Sequence, residues 1–229
     1  MRQVNVLEIR WIAHSWFQIK TGGTVIHIDP SDLSSKRLQG MPGAAVGTTK
    51  ADLILITHNH SDHCRKEMVD ALSRRGTVVL APNSCSGKLG AGMKEIKPGE
   101  EFRLAGVTVR AIDAYNTPEG ASVHKLHRRG ECLGYLVTAE GKTVYHAGDT
   151  DMIAEMESLG AVDIALLPIG GRYTMDSEEA AKAVARINAR IAVPMHYIDA
   201  DPQDFRVKVE AKGKARVTIL KEGEPLTLA

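Results

Sequence analysis

Four side chains that can bind a metal ion stand within one short segment of the chain. The segment LILITHNHSDHC contains His58, His60, Asp62 and His63 directly after an apolar run. Imidazole nitrogens and carboxylate oxygens are ligands of zinc, iron and manganese. At the His and Asp frequencies of this chain, the pattern HxHxDH arises by chance on the order of once in a thousand such chains. The block therefore predicts a metal site.

The spacing within this block favours two groups of ligands. Its first two histidines are two residues apart in a turning backbone and can converge, while its last two residues begin a helix and point elsewhere. Two neighbouring groups suit a pair of divalent ions about 3.5–4 Å apart that share a bridging water. Further ligands are expected where later strands end, at Asp149 in YHAGDTD and at His196 in AVPMHY.

Short runs rich in Val, Ile and Leu, stopped by Gly, Pro or Asp, predict the strands that position these residues. The predicted strands are 23–28, 52–57, 77–81, 108–112, 133–139, 142–147, 163–168, 190–194 and 216–220, of which the last closes the sheet.

Helical spacing of apolar residues predicts helices over 62–75, 151–159 and 176–188. In the last of these, Asp176 is expected at the cap position with Glu179 three residues on, which is the pattern of a capping box.

The order of these elements favours two mixed sheets packed face to face with helices outside, because strand runs cluster and helices follow single strands. The predicted fold class is α+β, a four-layer αββα sandwich, as a single domain over 1–229. The Gly-rich segment 40–47 is expected to form a surface loop.

The composition excludes several other classes of protein. The formal net charge is +1 and aromatic residues make up 4%, so there is no basic, aromatic-rich surface for nucleic acid. No apolar run approaches the roughly 18 residues of a membrane span, and the N-terminus lacks the plan of a signal peptide. Three cysteines without CxxC spacing suggest neither a disulfide framework nor a thiolate zinc site. We expect a soluble cytoplasmic protein that binds neither nucleic acid nor membrane.

Several motifs together resemble the metallo-β-lactamase fold superfamily, and within it small metal-dependent hydrolases similar to ascorbate-6-phosphate lactonase-like proteins. The motifs that carry the resemblance are AHSWFQI, VIHIDP, THNHSDH, HAGDT, LLPIGGRYTM and PMHY, spread from residue 11 to 197. The resemblance implies the αββα sandwich, with the site at one edge of the two sheets.

Carried over residue by residue, the resemblance implies a ligand set for two divalent ions. In this set His58 and His60 bind one ion, Asp62, His63 and His196 bind the other, and Asp149 bridges the two. Zinc is the expected metal, with manganese and iron as alternatives.

One ligand of the superfamily is missing from its usual place. Asn116 stands where the superfamily usually has a histidine, and an amide oxygen is a weak metal ligand. Either the first ion binds more loosely, or a loop histidine, His124 or His127, supplies the nitrogen. We favour His127, because its distance in sequence to Gly134 resembles that in related small hydrolases. Both could also be ordinary surface histidines.

Three more residues have candidate roles beside a plainer interpretation. Asp29 is expected to steady the metal-bearing loop through hydrogen bonds, or simply to form a turn. His14 resembles a histidine close to the metals that could contact substrate or water, or it is a half-buried histidine near a strand end. Arg172 could hold an acidic group of the substrate, or be a surface charge beside a helix cap.

These residues predict a metal-dependent hydrolase that uses a metal-activated water on a small ester, lactone or phosphoester. Asp62 or Asp149 could also relay a proton in such a reaction. The alternatives are a mononuclear iron enzyme that performs oxygen chemistry, and a metal-binding or sensing module without turnover. The expected partner is a small-molecule substrate, and a homo-oligomer is possible.

Overall fold

Two sheets, each of seven strands in the part of the chain that the structure describes, form the centre of the molecule. The structure is a computed structural model that describes residues 6–31, 49–213 and 215–228. The predicted loop 40–47 lies outside the described residues.

The first sheet is mixed, with its parallel strands on one side. In chain order its strands are β1 (Leu7–Ala13), β2 (Trp16–Thr21), β3 (Thr24–Ile28), β4 (Leu53–Leu55), β5 (Val78–Ala81), β6 (Lys94–Glu95) and β14 (Pro225–Leu228). Across the sheet the order is β14-β1-β2-β3-β4-β5-β6, and the pairs from β3 to β6 are parallel.

The second sheet is also mixed. Its strands are β7 (Glu101–Leu104), β8 (Val107–Ala114), β9 (Cys132–Ala139), β10 (Lys142–His146), β11 (Ile164–Pro168), β12 (Ile191–Met195) and β13 (Arg216–Val217). The order is β13-β12-β11-β10-β9-β8-β7, and the pairs from β10 to β13 are parallel.

The period of two along each strand decides which side chains fill the space between the sheets. In β4, Leu53 and Leu55 belong to the core between the sheets, whereas Ile54 faces the other side. In β11, Leu166 lies in the same inter-sheet core while Leu167 faces away. Both strands are apolar on both faces because each sheet is covered on its outer side as well.

Helices supply these outer layers. The helices α1 (Lys66–Leu72) and α2 (Ser86–Leu89) pack on the first sheet, and α3 (Ser177–Ile187) and α4 (Pro202–Glu210) pack on the second. The order of layers is therefore helices, sheet, sheet, helices, which confirms the predicted α+β, four-layer αββα sandwich.

The first predicted helix begins later and ends earlier than expected. It runs over Lys66–Leu72, with Met68, Val69 and Leu72 buried as predicted. The preceding residues 61–63 form turns instead, and no basic residue lies in the last helical turn. The interpretation that the last two residues of the metal-binding block begin a helix is therefore wrong.

The helix predicted over 151–159 is wrong in type, since only a 3-10 segment, Ala154–Ser158, is present. Asp151 does not cap a helix because its carboxylate accepts hydrogen bonds from the backbone of Thr117 (2.9 Å) and from the hydroxyl of Ser122 (2.7 Å). These bonds connect Asp151 to the segment that follows β8.

Helix α3 follows the prediction closely. The carboxylate of Asp176 accepts a hydrogen bond from the backbone N–H of Glu179 at 2.8 Å, as a cap residue does. The Glu179 carboxylate does not complete a capping box, because it accepts instead from the N–H groups of Ala121 (2.9 Å) and Met152 (3.1 Å). Among the described residues, no helix combines the length and apolar character that crossing a bilayer requires.

Polar residues follow the ends of six strands at one edge of the sandwich, namely β1, β3, β4, β8, β10 and β12. Contacts between the sheets hold this edge together: the N–H of Leu133 donates to the carbonyl of Thr57 (2.8 Å), and the N–H of His196 donates to the carbonyl of His14 (3.2 Å). The hydroxyl of Tyr135 donates to the carbonyl of Ile56 at 2.7 Å. The first sheet's loops are thereby fixed against those of the second.

Candidate metal centre

A tight turn after β4 brings the metal-binding block together. The N–H groups of His63 and Cys64 both donate to the carbonyl of His60, at 3.1 and 2.7 Å. This turn folds the chain back on itself, so that His63 returns beside His58, with 4.1 Å between their ring centroids. The convergence of the block therefore comes from a turn rather than from a helix start.

A first group of ligands contains three histidines, His58, His60 and His127, each offering a nitrogen within 4.8 Å of the others. The Nε2 of His58 lies 3.1 Å from the Nδ1 of His60, and the rings of His58 and His127 have centroids 4.9 Å apart. His58 and His127 are buried, and His60 is partly exposed. We call these three residues the histidine group.

A second group contains His14, Asp62, His63 and His196, again within 4.8 Å of one another. The Oδ2 of Asp62 lies 3.2 Å from the Nε2 of His14, 3.8 Å from that of His63 and 3.9 Å from that of His196. We call these four residues the mixed group. The structure thus places His14 among the potential ligands, whereas from the sequence it was expected only to lie close to the metals.

The carboxylate of Asp149 lies between the two groups. Its Oδ2 is 3.4 Å from the Nε2 of His127 and 3.2 Å from that of His196, and its Oδ1 is 3.4 Å from the Nε2 of His63. One carboxylate therefore faces nitrogens of both groups, as a bridging ligand must.

Hydrogen bonds on the far side of three rings, those of His58, His63 and His127, direct these imidazoles inwards. The Nδ1 of His63 donates to Asp29 (2.7 Å) and that of His127 donates to the carbonyl of Tyr173 (3.2 Å). The Thr57 hydroxyl donates to Asp29 (2.6 Å) and so accepts from the Nδ1 of His58 (2.9 Å). The Nε2 of His58, His63 and His127 is therefore the atom that can bind an ion. His60 instead turns its Nδ1 to within 3.1 Å of the Nε2 of His58, and the Nδ1 of His196 has no hydrogen-bond partner.

Besides the Nδ1 of His196, three buried polar atoms of the centre have no hydrogen-bond partner: His63 Nε2, His127 Nε2 and Asp149 Oδ1. Buried polar groups are nearly always satisfied, and leaving one unsatisfied costs about 1–3 kcal/mol. These atoms face one another and are all potential metal ligands. The residues present therefore fit divalent cations with nitrogen and oxygen ligands.

The electrostatics of the centre also favour the binding of a cation. Burial alone would raise the pKa of Asp149, but His196 and His63 outweigh it and hold that pKa well below its usual range. Burial would lower the pKa of His63, yet Asp149 and Asp29 hold it well above its usual range. The carboxylates that attract a proton to His63 attract a divalent cation for the same reason.

Asp29 holds the metal-binding loop in place. Besides the bonds to His63 and to the Thr57 hydroxyl, its carboxylate accepts the N–H of Thr57 at 2.7 Å, and it is fully buried. Its backbone is left-handed (φ 49°), as are those of His14 (47°) and His196 (49°). Non-glycine residues rarely adopt this conformation, and they concentrate at functional sites.

Asn116 is not part of either group. Its Nδ2 donates to the carbonyl of Tyr173 (2.9 Å) and its Oδ1 accepts from the N–H of His127 (2.8 Å). Of the two loop histidines, His127 joins the histidine group, while His124 is exposed beside the ring of Tyr173. The loop that follows position 116 thus offers the third nitrogen beside His58 and His60.

A cavity of about 340 Å³ opens onto the centre and is lined by His60, Asp62, Leu126, His127, Asp149, Tyr173 and His196. Arg172 is exposed and does not line this cavity, so the structure does not bring it to the position of a substrate contact. Its carbonyl accepts the N–H of His124 at 2.8 Å.

Sequence reasoning missed Thr57, Leu126 and Tyr173. Thr57 carries a weak signal, since it directly precedes the first histidine of the block. Leu126 and Tyr173 reach the cavity through loops whose course no local pattern shows.

The fold and the centre together define a class of αββα proteins with a metal site at one sheet edge. The chain matches the Beta-lactamase superfamily domain over residues 8–196. It is 33% identical to a UPF0173 metal-dependent hydrolase of Methanopyrus kandleri, covering 95% of this chain and 98% of that protein. It is 37% identical to a UPF0173 metal-dependent hydrolase of Pyrobaculum arsenaticum, covering 97% and 100%.

A similar structure is that of Igni18, a metallo hydrolase of Ignicoccus hospitalis. The TM-score is 0.79 at 32% identity, covering 98% of this chain and 99% of the other. The chain therefore belongs to the beta-lactamase superfamily, in its family of UPF0173 metal-dependent hydrolases. The resemblance to metal-dependent hydrolases of the metallo-β-lactamase fold superfamily, inferred from the sequence motifs, is confirmed.

Proposed function

We propose that the protein hydrolyses a small ester, lactone or phosphoester with water activated by two divalent metal ions. The histidine group would hold one ion. Asp62, His63 and His196 would hold the other, with His14 beside them, and Asp149 would contact both.

One observation carries this proposal. Of the three unpartnered buried atoms, the Nε2 of His127 belongs to the histidine group, the Nε2 of His63 belongs to the mixed group, and the Oδ1 of Asp149 belongs to the carboxylate between them. A single ion in one group would leave the orphaned atom of the other unsatisfied. Two ions account for all three.

The chemistry divides between the ions and the side chains. Bound divalent ions would lower the pKa of a water molecule towards neutrality and polarise the carbonyl or phosphoryl oxygen of the substrate. Asp149 is buried and serves to hold the ligand geometry. The side chain of Asp62 is 40% exposed, lines the cavity and lies at 3.2 Å from His14. Burial would raise its pKa, but the hydrogen bond from His14 and the charge of His63 hold that pKa well below its usual range, so Asp62 would stay ionised and orient the nucleophile as a hydrogen-bond acceptor.

The cavity favours small substrates. A volume of about 340 Å³ is within the range of small-molecule sites, and Leu126 and Tyr173 supply apolar walls next to the ligand groups. The relatives' name, metal-dependent hydrolase, supports the reaction class. Zinc is the metal we propose, because a ligand set dominated by imidazole suits it.

The alternatives lose their main support. A mononuclear iron enzyme and a binding module without turnover were both suggested by Asn116, which would weaken one metal position. His127 supplies a nitrogen to that position instead, so we favour the dinuclear hydrolase.

The proposal is tested by measuring zinc per chain by mass spectrometry, in the wild type and in Asp149→Ala. Metal-free protein would then be assayed with p-nitrophenyl acetate, an unsubstituted γ-lactone and bis(p-nitrophenyl) phosphate, before and after zinc is added. We expect about two equivalents and zinc-dependent hydrolysis of at least one substrate. Asp149→Ala should lose both ions and about a thousandfold or more in rate.

Asp70→Ala is the matched control, because Asp70 is an exposed carboxylate on α1 that pairs with Lys66. It should bind and turn over like the wild type. Undiminished turnover by a folded Asp149→Ala variant, or a wild type that binds no zinc, would refute the proposal. Tight binding of two ions with no turnover of any substrate would favour the sensing module.

A further inference from the structure

We propose that Asn116 is a positioning residue that places His127 in the histidine group. The inference rests on the proposed function, because it assumes that this group binds an ion. It assigns a role to the residue at which the chain departs from the pattern of its superfamily.

Asn116 lies just beyond the end of β8 and clamps the backbone of His127 from both sides. The N–H of Asn116 donates to the carbonyl of His127 at 2.9 Å. The N–H of His127 donates to the Oδ1 of Asn116 at 2.8 Å. Both backbone polar groups of His127 are therefore bound to one residue eleven positions earlier, and the segment 117–126 is closed at its base.

The same side chain also fixes the direction of the imidazole. The Nδ2 of Asn116 donates to the carbonyl of Tyr173 at 2.9 Å, and that carbonyl also lies 3.2 Å from the Nδ1 of His127. Asn116 thus orients the acceptor that turns the Nε2 of His127 towards Asp149. Oriented partners of this kind tune a ligand without touching the ion.

An amide suits this position because it combines an acceptor and a donor on one short planar group. Aspartate would keep the acceptor for His127 but lose the donor to Tyr173. Alanine would lose both. Because the Oδ1 of Asn116 is occupied by the N–H of His127, the amide acts through His127 rather than as a ligand itself.

The body of the loop is held by other residues. Asp151 accepts the N–H of Thr117 (2.9 Å) and the hydroxyl of Ser122 (2.7 Å), and Glu179 accepts the N–H of Ala121 (2.9 Å). Loss of the Asn116 side chain should therefore displace His127 while the rest of the loop stays in place. Ser122→Ala is a matched control, since it weakens the loop without touching His127.

The first experiment measures zinc affinity by competition with a chromophoric chelator, on the full chain. Asn116→Ala should bind one of its two ions 10–100-fold more weakly and leave the other unchanged. Asn116→Asp should show a smaller loss of the same kind. In a His127→Ala background, measured at zinc concentrations high enough to fill the weakened site, Asn116→Ala should cause no further loss, because its effect passes through His127.

Three results would overturn the inference: unchanged affinity in Asn116→Ala, tighter binding in Asn116→Asp, or an Asn116→Ala effect that persists in full without His127. Tighter binding in Asn116→Asp would instead show that residue 116 is a direct ligand. Ser122→Ala should retain the wild-type affinity for both ions.

Hydrogen exchange of the metal-free protein separates this inference from the proposed function. The amide of His127 should exchange at least tenfold faster in Asn116→Ala than in the wild type, and no faster in Ser122→Ala. An unchanged rate would disprove the clamp even if two ions bind. A wild type that binds no zinc would refute the proposed function whatever the exchange rates.

Discussion

The two ligand groups meet at one carboxylate but are built in different ways. The mixed group is supported by buried residues at strand ends, such as Asp29 after β3 and His196 after β12, and the loops that carry it are bonded directly to each other. The histidine group is completed by His127, which arrives from the segment between β8 and β9 and depends on Asn116.

Because of this difference, we expect the two groups to bind their ions with different affinities. A ligand set fixed by the core keeps its geometry as long as the domain is folded. A ligand that arrives on a loop keeps its geometry only as long as the loop's own hydrogen bonds hold. The mixed group should therefore bind its ion more tightly than the histidine group does. Substitutions in the two groups should differ in their effects on the free energy of unfolding and on zinc binding.

The largest expected effect comes from the support of the mixed group. Asp29→Ala removes a buried carboxylate that accepts three hydrogen bonds, two from Thr57 and one from His63. We expect the free energy of unfolding of the metal-free protein to fall by about 3–5 kcal/mol, measured by urea denaturation. Affinity for the ion of the mixed group should fall as well.

Asp29→Asn is the conservative control, because it keeps the size of the side chain and one carbonyl acceptor. Its loss of stability should be smaller than that of Asp29→Ala. If Asp29→Ala were as stable as the wild type, the inference that buried residues at strand ends hold the mixed group in place would be wrong.

Lowering the pH should also reduce the free energy of unfolding, through a histidine in the first sheet. His27 lies in β3, two residues before Asp29, and burial lowers its pKa to about 4. In the unfolded chain this pKa is about 6.5. Between these two pH values the unfolded chain binds more protons than the folded protein does. The free energy of unfolding should therefore decline as the pH falls from about 6.5 to about 4, by up to about 3 kcal/mol.

The measurement is the unfolding free energy of metal-free protein at several pH values, with His27→Gln for comparison. The variant should lose less stability than the wild type over this interval, because glutamine does not titrate. Parallel curves for the two proteins would contradict the prediction.

The smallest effect on stability is expected from the histidine group. His127→Ala should cost the metal-free protein only about 1 kcal/mol, since the bond lost is one between its ring and the carbonyl of Tyr173. Zinc analysis should show one equivalent instead of two. Loss of both equivalents would mean that the two groups are not separable.

The sequence predicted the layers of the fold because apolar runs of strand length are a local signal. It missed the strands β1, β2, β6, β7 and β14 and the helices α2 and α4. Asp201 and Pro202 nevertheless form a recognisable helix start in α4. The edge strand β14 is short and half exposed, and only its pairing with β1 defines it.

For the site, spacing in the block from residue 58 to 63 was sufficient to indicate ligands, because these residues are close in sequence. The contact of His127 with Asp149, and the clamp of Asn116, depend on the path of a loop, which sequence periodicity does not describe. Resemblance named His127 as a candidate, and the three-dimensional arrangement separates it from His124.

The ligands are divided between the two sheets. His58 and His63 belong to the loop after β4 of the first sheet, whereas Asp149 and His196 follow β10 and β12 of the second. An ion bound by ligands from both sheets would link the two sheets, and they could not separate without releasing it. Thermal stability would then depend on the free metal concentration, with a gain of about 2.7 kcal/mol at a hundred times the dissociation constant.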